Sequence, residues 1–367
     1  MKAYTSGLII KENTIITKER RLPIKGQVIS NLGDEVNYDT IIAQGEIKGH
    51  LATFRFASEL NINPQDIDKY LLPKIGDNIK QGDIIGKSAS FFGLFKSSVK
   101  SPYTGVLEYI NRKTGTIGIR LASTEIKLNA YIKGKIQKII PEEGAIIETK
   151  GTFIQGIFGI GGEKFGKLLV VNPDTNNTID NIPNITENTI LVYEKGLNLD
   201  ILKDCEKKGV LGIITGSISD KVLRDYINKE LGVAITGDEK VPLTIILTEG
   251  FGNIPMSETT FNMLKSIDSS YVSINGATQI RAGVIRPEII MSKDNKNLSD
   301  KYEDATLKIG SKVRIMSEPY LCQYGYISDI FDKPIMLETG NLANCVEINL
   351  NNNKVIVPRT NIELIIE

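Results

Sequence analysis

The chain has 367 residues, of which 41% are hydrophobic and 24% charged, and it contains no tryptophan. This length allows two or three domains of ordinary size, and the composition is that of a globular protein with a hydrophobic core. Lys plus Arg equals Asp plus Glu at 44 each, which disfavours a nucleic-acid binder, because phosphate contact usually requires an excess of cations. No apolar run approaches the ~20 residues of a membrane span, and the N-terminus lacks the apolar core of a signal peptide. We therefore expect a soluble cytoplasmic protein without membrane contact.

The charge is unevenly distributed along the chain. Residues 1–151 carry 22 basic and 16 acidic side chains, a net of +6, whereas residues 152–305 carry 16 and 21, a net of −5. Residues 306–367 carry 6 and 7, a net of −1. This asymmetry favours complementary packing between the first two parts of the chain. A basic docking face on the first part is the alternative interpretation.

Residues 1–151 have the pattern of a β-rich domain. Glycine-containing turns recur between short alternating segments such as Gly134–Ile140, which is typical of a barrel or sandwich. Residues 57–70 interrupt this pattern, and Pro64 followed by acidic residues is typical of a helix start. We therefore predict a β domain over 1–151 with a helical insert at about 57–70.

Residues 71–110 carry the most informative pattern of the chain. Two Gly-Asp turns, Gly76-Asp77 and Gly82-Asp83, lie six residues apart, and the segment 101–106 (SPYTGV) follows an apolar hairpin candidate. This layout resembles the barrel-sandwich hybrid fold of biotinyl and lipoyl carrier domains. The resemblance implies a docking or swinging module, and in a carrier one Lys at the hairpin tip would hold the cofactor. Lys96 lies in that interval.

The flanks of the hairpin candidate differ from those of a carrier motif. Carriers surround the modified Lys with small, acidic or Met residues, whereas an apolar segment with three Phe precedes Lys96 here. We therefore predict no cofactor on Lys96. Large apolar side chains at a hairpin tip instead predict a partner-docking surface, formed by Phe91, Phe92, Leu94 and Phe95. Packing of this segment against the α/β domain is the alternative.

Residues 152–292 change to an α/β pattern. Apolar strand candidates alternate with helical patterns, which predicts a small α/β domain with a mostly parallel sheet. Ser219 and Ser257 are expected to be helix N-caps, because each precedes acidic residues and an apolar face. The predicted strands are 189–193, 210–215, 243–248 and 271–275, and the predicted helices are 197–208, 219–229 and 257–266.

The glycine-rich segment 153–167 contains Gly161-x-x-x-x-Gly166-Lys167, which is close to a phosphate loop. Leu168 occupies the position where such a loop needs Ser or Thr for Mg²⁺. The residues after it predict a strand, whereas a phosphate loop needs a helix whose N-terminus holds the phosphate. We therefore expect tight turns here and no nucleotide site, and a backbone-amide nest around Gly159, Gly161 and Gly162 is the alternative.

Polar residues follow the predicted strands at the carboxyl edge of the sheet, where open α/β sheets bind ligands. Two arginines among them would suit an anion such as a carboxylate or phosphate. The alternative is that these groups satisfy loop backbone and that the arginines pair with Glu249 or Glu288. The candidate ligand-binding residues are Glu249, Asn275, Thr278, Gln279, Arg281 and Arg286.

The final part begins with a charged linker over 293–306. Within residues 307–367, the segment 310–315 (GSKVRI) followed by Tyr324-Gly325-Tyr326 resembles the KOW motif of SH3-like β-barrels, in which a glycine at the position of Gly325 forms a tight turn. KOW domains contact RNA or proteins such as polymerase. Because this part is net −1, protein contact is the preferred expectation, and nucleic-acid binding through Tyr320, Tyr324 and Tyr326 is the weaker one.

The chain shows no Ser/His, Cys/His or metal cluster, whereas carboxylate or Lys chemistry is allowed but has no sequence signature. His50 is its single histidine, which leaves no His-based metal site or catalytic triad, and no metal or other cofactor is predicted. Cys205, Cys322 and Cys345 are far apart in sequence, which predicts reduced thiols. A multidomain α+β protein of this kind suits a non-catalytic adaptor, assembly or accessory subunit that contacts other proteins and senses a small anionic ligand. Two alternatives stay open: an accessory or reactivation component of a metabolic enzyme with a small-molecule site at the α/β edge, and an RNA- or transcription-associated KOW factor.

Overall fold

The structure is a computed structural model of the chain. It describes residues 7–90, 95–171, 182, 185–194, 197–228, 241–279, 285–293, 306–337, 339–350 and 353–366, and for residues 88–90, 95 and 96 it describes the backbone. Strand residues outnumber helical ones, at 51% against 13%, and a large mixed sheet dominates the fold. The predicted β-rich α+β class is confirmed at this level. Within the described residues, no helix has the length and apolarity that crossing a bilayer requires.

The first part of the chain contains thirteen of the described strands and two short helices. They are β1 (Gly7–Arg21), β2 (Gln27–Val28), β3 (Glu35–Val36), β4 (Ile41–Ile47), β5 (Leu51–Phe54), α1 (Phe56–Leu60), α2 (Ile67–Tyr70), β6 (Asn78–Ile79), β7 (Ile84–Ser90), β8 (Phe95–Lys100), β9 (Gly105–Asn111), β10 (Thr116–Leu121), β11 (Thr124–Asn129), β12 (Gly134–Ile140) and β13 (Gly144–Gln155). A 3₁₀ turn at Pro64–Asp66 precedes α2, so helical structure lies where the insert at 57–70 was predicted.

The middle and final parts follow. The middle part contains β14 (Phe158–Ile160), β15 (Glu163–Val170), β16 (Thr189–Val192), α3 (Leu199–Lys207), β17 (Gly212–Ile218), α4 (Asp220–Ile227), β18 (Thr244–Phe251), α5 (Glu258–Ser266), β19 (Tyr271–Asn275) and β20 (Glu288–Lys293). The final part contains β21 (Lys312–Ile315), β22 (Tyr324–Ile330), β23 (Ile335–Met336), β24 (Leu342–Ala343), β25 (Cys345–Leu350), β26 (Asn353–Pro358), a 3₁₀ turn at Arg359–Asn361 and β27 (Ile362–Ile366). The predicted linker is outside the described residues except for its ends at 293 and 306.

Sixteen of the described strands form one mixed sheet. Its order is β14-β18-β17-β16-β15-β19-β20-β13-β1-β27-β21-β22-β25-β26, with β12 and β3 beside β13. The predicted boundary between residues 151 and 152 falls inside β13, which pairs with β1 and β20 on either side. The final part joins the same sheet because β27 pairs in parallel with Gly7–Ile9 of β1. A shared sheet therefore connects the three predicted parts.

The α/β part alternates its buried side chains between two cores. Ile190 and Val192 face a core that includes Leu264 of α5, whereas Leu191 between them faces the core under α3 and α4. Strands β15 to β18 are parallel, as predicted, but β14, β19 and β20 are antiparallel to their neighbours, which makes the sheet mixed. The predicted caps are confirmed: the Ser219 and Ser257 hydroxyls accept from the backbone N–H groups of Val222 and Thr260.

Residues 51–121 form a separate unit, here called the lobe. Ile47 of β4 and Thr124 of β11 are register partners, so the chain leaves and re-enters the rest of the fold at adjacent points. The lobe has its own four-stranded sheet in the order β5-β10-β9-β6, a β7-β8 ribbon, and a core that includes Phe56, Ile85 and Leu107. It is therefore an insertion with an independent core.

Gly325 lies in a strand and not in the expected tight turn. It pairs with Val313 of β21, and a Cβ added to it would approach the carbonyl oxygen of Asn349 to 2.6 Å. The sequence expectation of a turn was therefore wrong. A side chain is excluded there by the close approach of β25, not by a left-handed backbone.

Candidate functional site

The predicted ligand-site residues lie at both edges of the parallel strands and not at one. Glu249 is near the carboxyl end of β18. Asn275 ends β19, which is antiparallel to β15, and its register partner is Glu163 at the start of β15. Asn275 therefore lies at the opposite edge from Glu249. The sequence interpretation placed them together because it assumed that β19 was parallel.

Glu249 and Arg286 belong to one buried ionic network that also contains Arg314, Glu363 and Tyr324. The fully buried Arg314 guanidinium donates from Nη1 to Glu249 Oε2 and from Nη2 to Glu363 Oε2, both at 2.8 Å. Arg286 donates to the second oxygen of Glu363, and the Tyr324 hydroxyl donates to Glu249 at 3.1 Å. This network joins β18 to β21 and β27 of the final part. It engages Arg286, one of the two cations that the predicted anion site would have needed.

The charges of this network are stabilised by mutual contact in a buried environment. Burial on its own lowers the pKa of Arg314, but Tyr324, Glu363 and Glu249 raise it, so the guanidinium stays charged. Burial, followed by the charge of Glu249, raises the pKa of Tyr324, which keeps its hydroxyl a neutral donor. Arg286 pairs with Glu363 and not with Glu249 or Glu288, the two partners expected from the sequence.

Two of the other predicted ligand residues use their side chains to bind backbone groups. The Thr278 hydroxyl accepts from the Gly159 N–H at 2.8 Å, and Asn275 Oδ1 accepts from the Ala277 N–H at 2.9 Å. The backbone of Gln279 pairs with that of Ile285, and Arg281 is outside the described residues. These contacts match the expectation that polar groups satisfy loop backbone.

Two ion pairs join the first and middle parts of the chain. Arg20 contacts Glu163 through two parallel hydrogen bonds, the longer at 2.8 Å, and Lys18 pairs with the nearly buried Glu288. The ring of Tyr131 lies under the Arg20 guanidinium, and burial, then the charges of Glu288 and Glu163, raise its pKa well above the ordinary value. These contacts are those expected for packing of a basic part against an acidic one.

The remaining candidate groups do not come together into a site within the described residues. Gly166 and Lys167 of the phosphate-loop-like segment lie inside strand β15, where the backbone is paired on both sides. His50 is exposed, and the three cysteines are free thiols. Burial raises the pKa of Cys205 to about 12, which suppresses its thiolate. No cluster of three metal-ligating side chains occurs within the described ranges.

The two Gly-Asp turns of the lobe have nearly the same geometry. In each, the Asp side chain accepts from the backbone N–H of the residue three positions earlier: Lys74 to Asp77 and Lys80 to Asp83, both at 2.8 Å. Gly76 and Gly82 have positive φ angles of 98° and 90°, which a residue with Cβ rarely adopts. The same turn recurs at residues 31–34 and 308–311.

The β7-β8 ribbon extends from the lobe as an arm. Ile85 and Val99 at its base are buried in the lobe core. Further along, Ser97 and Ser98 point to opposite faces, and both are exposed, so neither face is covered there. The predicted docking residues Phe91, Phe92 and Leu94, and the side chain of Phe95, are outside the described part of the structure.

Lys96 lies in β8 and not at the position of a carrier lysine. Its backbone pairs with Ala89, and Ser90 pairs with Phe95 beyond it. The residues that connect the two strands are 91–94. Lys96 is therefore on the strand after the connection, whereas the resemblance to carriers implies a lysine at the tip.

An open cleft of about 620 Å³ lies on the lobe between β6 and β7. Five of its lining residues are apolar and none is basic; the lining residues are Leu72, Pro73, Asp77, Asn78, Ile79, Asp83, Ile84 and Ile85. Leu72 is 54% exposed, Ile84 is 43% exposed, and nearby in sequence Ile75 is 60% exposed. A cluster of exposed large apolar side chains at a cleft is typical of a binding surface.

The C-terminal tyrosines offer little surface for stacking on bases. Tyr324 is turned inward to Glu249, and Tyr320 packs against the core of the final part. Tyr326 is exposed, but a single aromatic ring without a basic groove is a poor platform for single-stranded nucleic acid.

Sequence reasoning missed the cleft, although it had identified the turns beside it. The signal was available in Ile75 and Ile84, the large apolar residues directly beside the two Gly-Asp pairs. It also missed Arg314 and Glu363, each of which is a charged residue between two apolar strand residues. No protein-family model matches this chain, and a search of curated proteins found no similar sequence.

Proposed function

We propose that the protein is a non-catalytic adaptor or assembly subunit that binds a partner protein through the lobe. The observation that carries this proposal is the exposed apolar cleft beside a two-stranded arm. The partner-facing surface comprises the cleft and the arm, which bears the apolar sequence 91–95 at its end. Glu249 and Arg286 are held in one network through Arg314 and Glu363, and we propose that they serve the fold.

We further propose that the lobe is a barrel-sandwich hybrid-like module and that the final part is an SH3-like barrel. The two equivalent Gly-Asp turns flanking the cleft support the first assignment. The strand order β27-β21-β22-β25-β26, with a 3₁₀ turn directly before the last strand, supports the second. In this view the lobe serves as a docking module without a cofactor, because Lys96 lies in β8 and is not at the tip.

Affinity capture with the full-length tagged chain tests this function. We expect the wild-type chain to retain a partner from an extract of the cells that make it, and we expect Phe92→Asp with Phe95→Asp, or Ile84→Asp alone, to lose that partner. Ile356→Asp is the matched control, because Ile356 is similarly exposed, at 50%, but lies on the final part. Identical partner sets for all four chains would contradict the proposal.

A further inference from the structure

We infer that the occupant of the cleft is an extended acidic segment with alternating apolar side chains, contributed by the partner protein. This inference rests on the proposed docking function and specifies the chemistry of the partner.

The extended conformation is inferred from the strands that border the cleft. β6 is the last described strand of the order β5-β10-β9-β6, and it pairs with β9 on one side. An end strand presents unpaired N–H and C=O groups along its outer edge, and these can accept a further strand. Asn78 and Ile79 of this strand line the cleft. A strand added there would place alternate side chains over Leu72 and Ile84.

The acidic character is inferred from the charges that the lobe leaves unpaired. Residues 51–121 contain ten basic and six acidic side chains. Three of the acids are paired internally, in the contacts Lys69–Asp66, Arg112–Asp68 and Arg120–Glu108. Four exposed lysines near the cleft or on the arm have no ion pair within the described residues: Lys74, Lys80, Lys87 and Lys100.

The aspartates of the cleft do not reverse this preference. Asp77 and Asp83 each use one carboxylate oxygen to accept a backbone N–H of their own turn. Lys74 and Lys80 belong to the same two turns, and Lys100 is the register partner of Ile84 in the β7-β8 ribbon. Three exposed lysines therefore lie close to a cleft whose lining contains two aspartates, and complementary acidic side chains on a partner would gain attraction there.

Fluorescence anisotropy with synthetic peptides tests this inference on the full-length chain. The probes are two labelled octapeptides, one alternating Val and Glu and the other alternating Val and Lys. We expect the Val-Glu peptide to bind at least about tenfold more tightly, and its affinity to fall as salt rises through the range where the Debye length drops from ~10 Å to ~3 Å. Equal binding of the two peptides, or tighter binding of the Val-Lys peptide, would overturn the inference.

Charge reversal locates the contact. Lys74→Glu with Lys80→Glu is expected to weaken Val-Glu binding about tenfold, whereas Lys113→Glu is expected to leave it unchanged. Lys113 is the matched control because it is exposed on the same lobe but lies beyond the other end of β9. Neutralisation to Gln at positions 74 and 80 repeats the test if charge reversal lowers the thermal midpoint. Unchanged binding in the paired variants would overturn the inference.

The two proposals fail in different ways. If Ile84→Asp abolishes partner capture while reversal of Lys74 and Lys80 leaves both capture and peptide binding unchanged, the docking function stands and the acidic partner is excluded. If Ile84→Asp has no effect on capture, the docking function itself fails.

Discussion

Replacing Arg314 with Met should destabilise the protein strongly. The substitution keeps an apolar chain in place but removes the cation that two buried carboxylates share. Glu363 would retain Arg286, whereas Glu249 would retain only the donors Tyr324 and Ser257. Removal of one partner from a buried ion pair costs roughly 3–5 kcal/mol, and because Glu363 stays paired we expect about 3 kcal/mol.

Urea unfolding measures this loss. It can be followed by far-UV circular dichroism and by tyrosine fluorescence, because the chain has no tryptophan. Lys354→Met is the matched control. Lys354 pairs with Glu347 at 2.7 Å, close to the 2.8 Å of the Arg314–Glu249 pair, but Lys354 lies at the surface. An exposed pair contributes about 0–1 kcal/mol, so the control should remain close to wild type.

A double-mutant cycle tests the physical reason for the loss. Glu249→Gln removes the charge that Arg314→Met leaves unpaired. The loss in free energy of unfolding in the double variant should therefore be smaller than the two single losses added together, by about 1–3 kcal/mol. If Arg314→Met costs no more than Lys354→Met, or if the two network substitutions are additive, the network does not hold the final part of the chain to the α/β part.

Three further outcomes are expected. The pKa of Tyr324 is raised above its ordinary value of 10.0 in the folded protein. Above pH 10.0 the folded state therefore retains a proton that the unfolded chain loses. The free energy of unfolding should then fall with rising pH by about 1.4 kcal/mol per pH unit for this group. Alkaline unfolding of Tyr324→Phe should show a correspondingly smaller slope, and that of Tyr326→Phe should match wild type, because the Tyr326 side chain is exposed. Gly325→Ala should destabilise by about 1–3 kcal/mol in urea, because its methyl group would collide with the backbone of β25, and a neutral effect would contradict that packing. Intact mass of the native protein should equal the sequence mass, whereas an adduct on Lys96 would identify a carrier.

The α/β elements were predictable from the sequence because each follows local rules. The strands at 189–192 and 271–275 are short apolar runs, and α4 and α5 begin at serines whose side chains cap them. Such signals depend on neighbouring residues alone. All seven predicted α/β elements therefore lie within a few residues of their observed bounds.

Strand direction and long-range pairing could not be predicted in the same way. Nothing in the residues of β19 indicates that it is antiparallel to β15, and this one fact separates Asn275 from Glu249. The pairing of β27 with β1 and the burial of Arg314 join residues hundreds of positions apart. Periodicity within a strand shows which face is buried but not which strand lies beside it.

A photo-reactive amino acid introduced at position 75 or at position 309 would test the central claim most directly. Ile75 and Ile309 occupy the same place in the same type of turn and are 60% and 65% exposed, but Ile75 lies beside the cleft and Ile309 on the final part. Irradiation of living cells should produce one defined protein cross-link from position 75 and none of comparable yield from position 309. Equal cross-linking from both positions, or none from position 75, would contradict a docking function of the lobe.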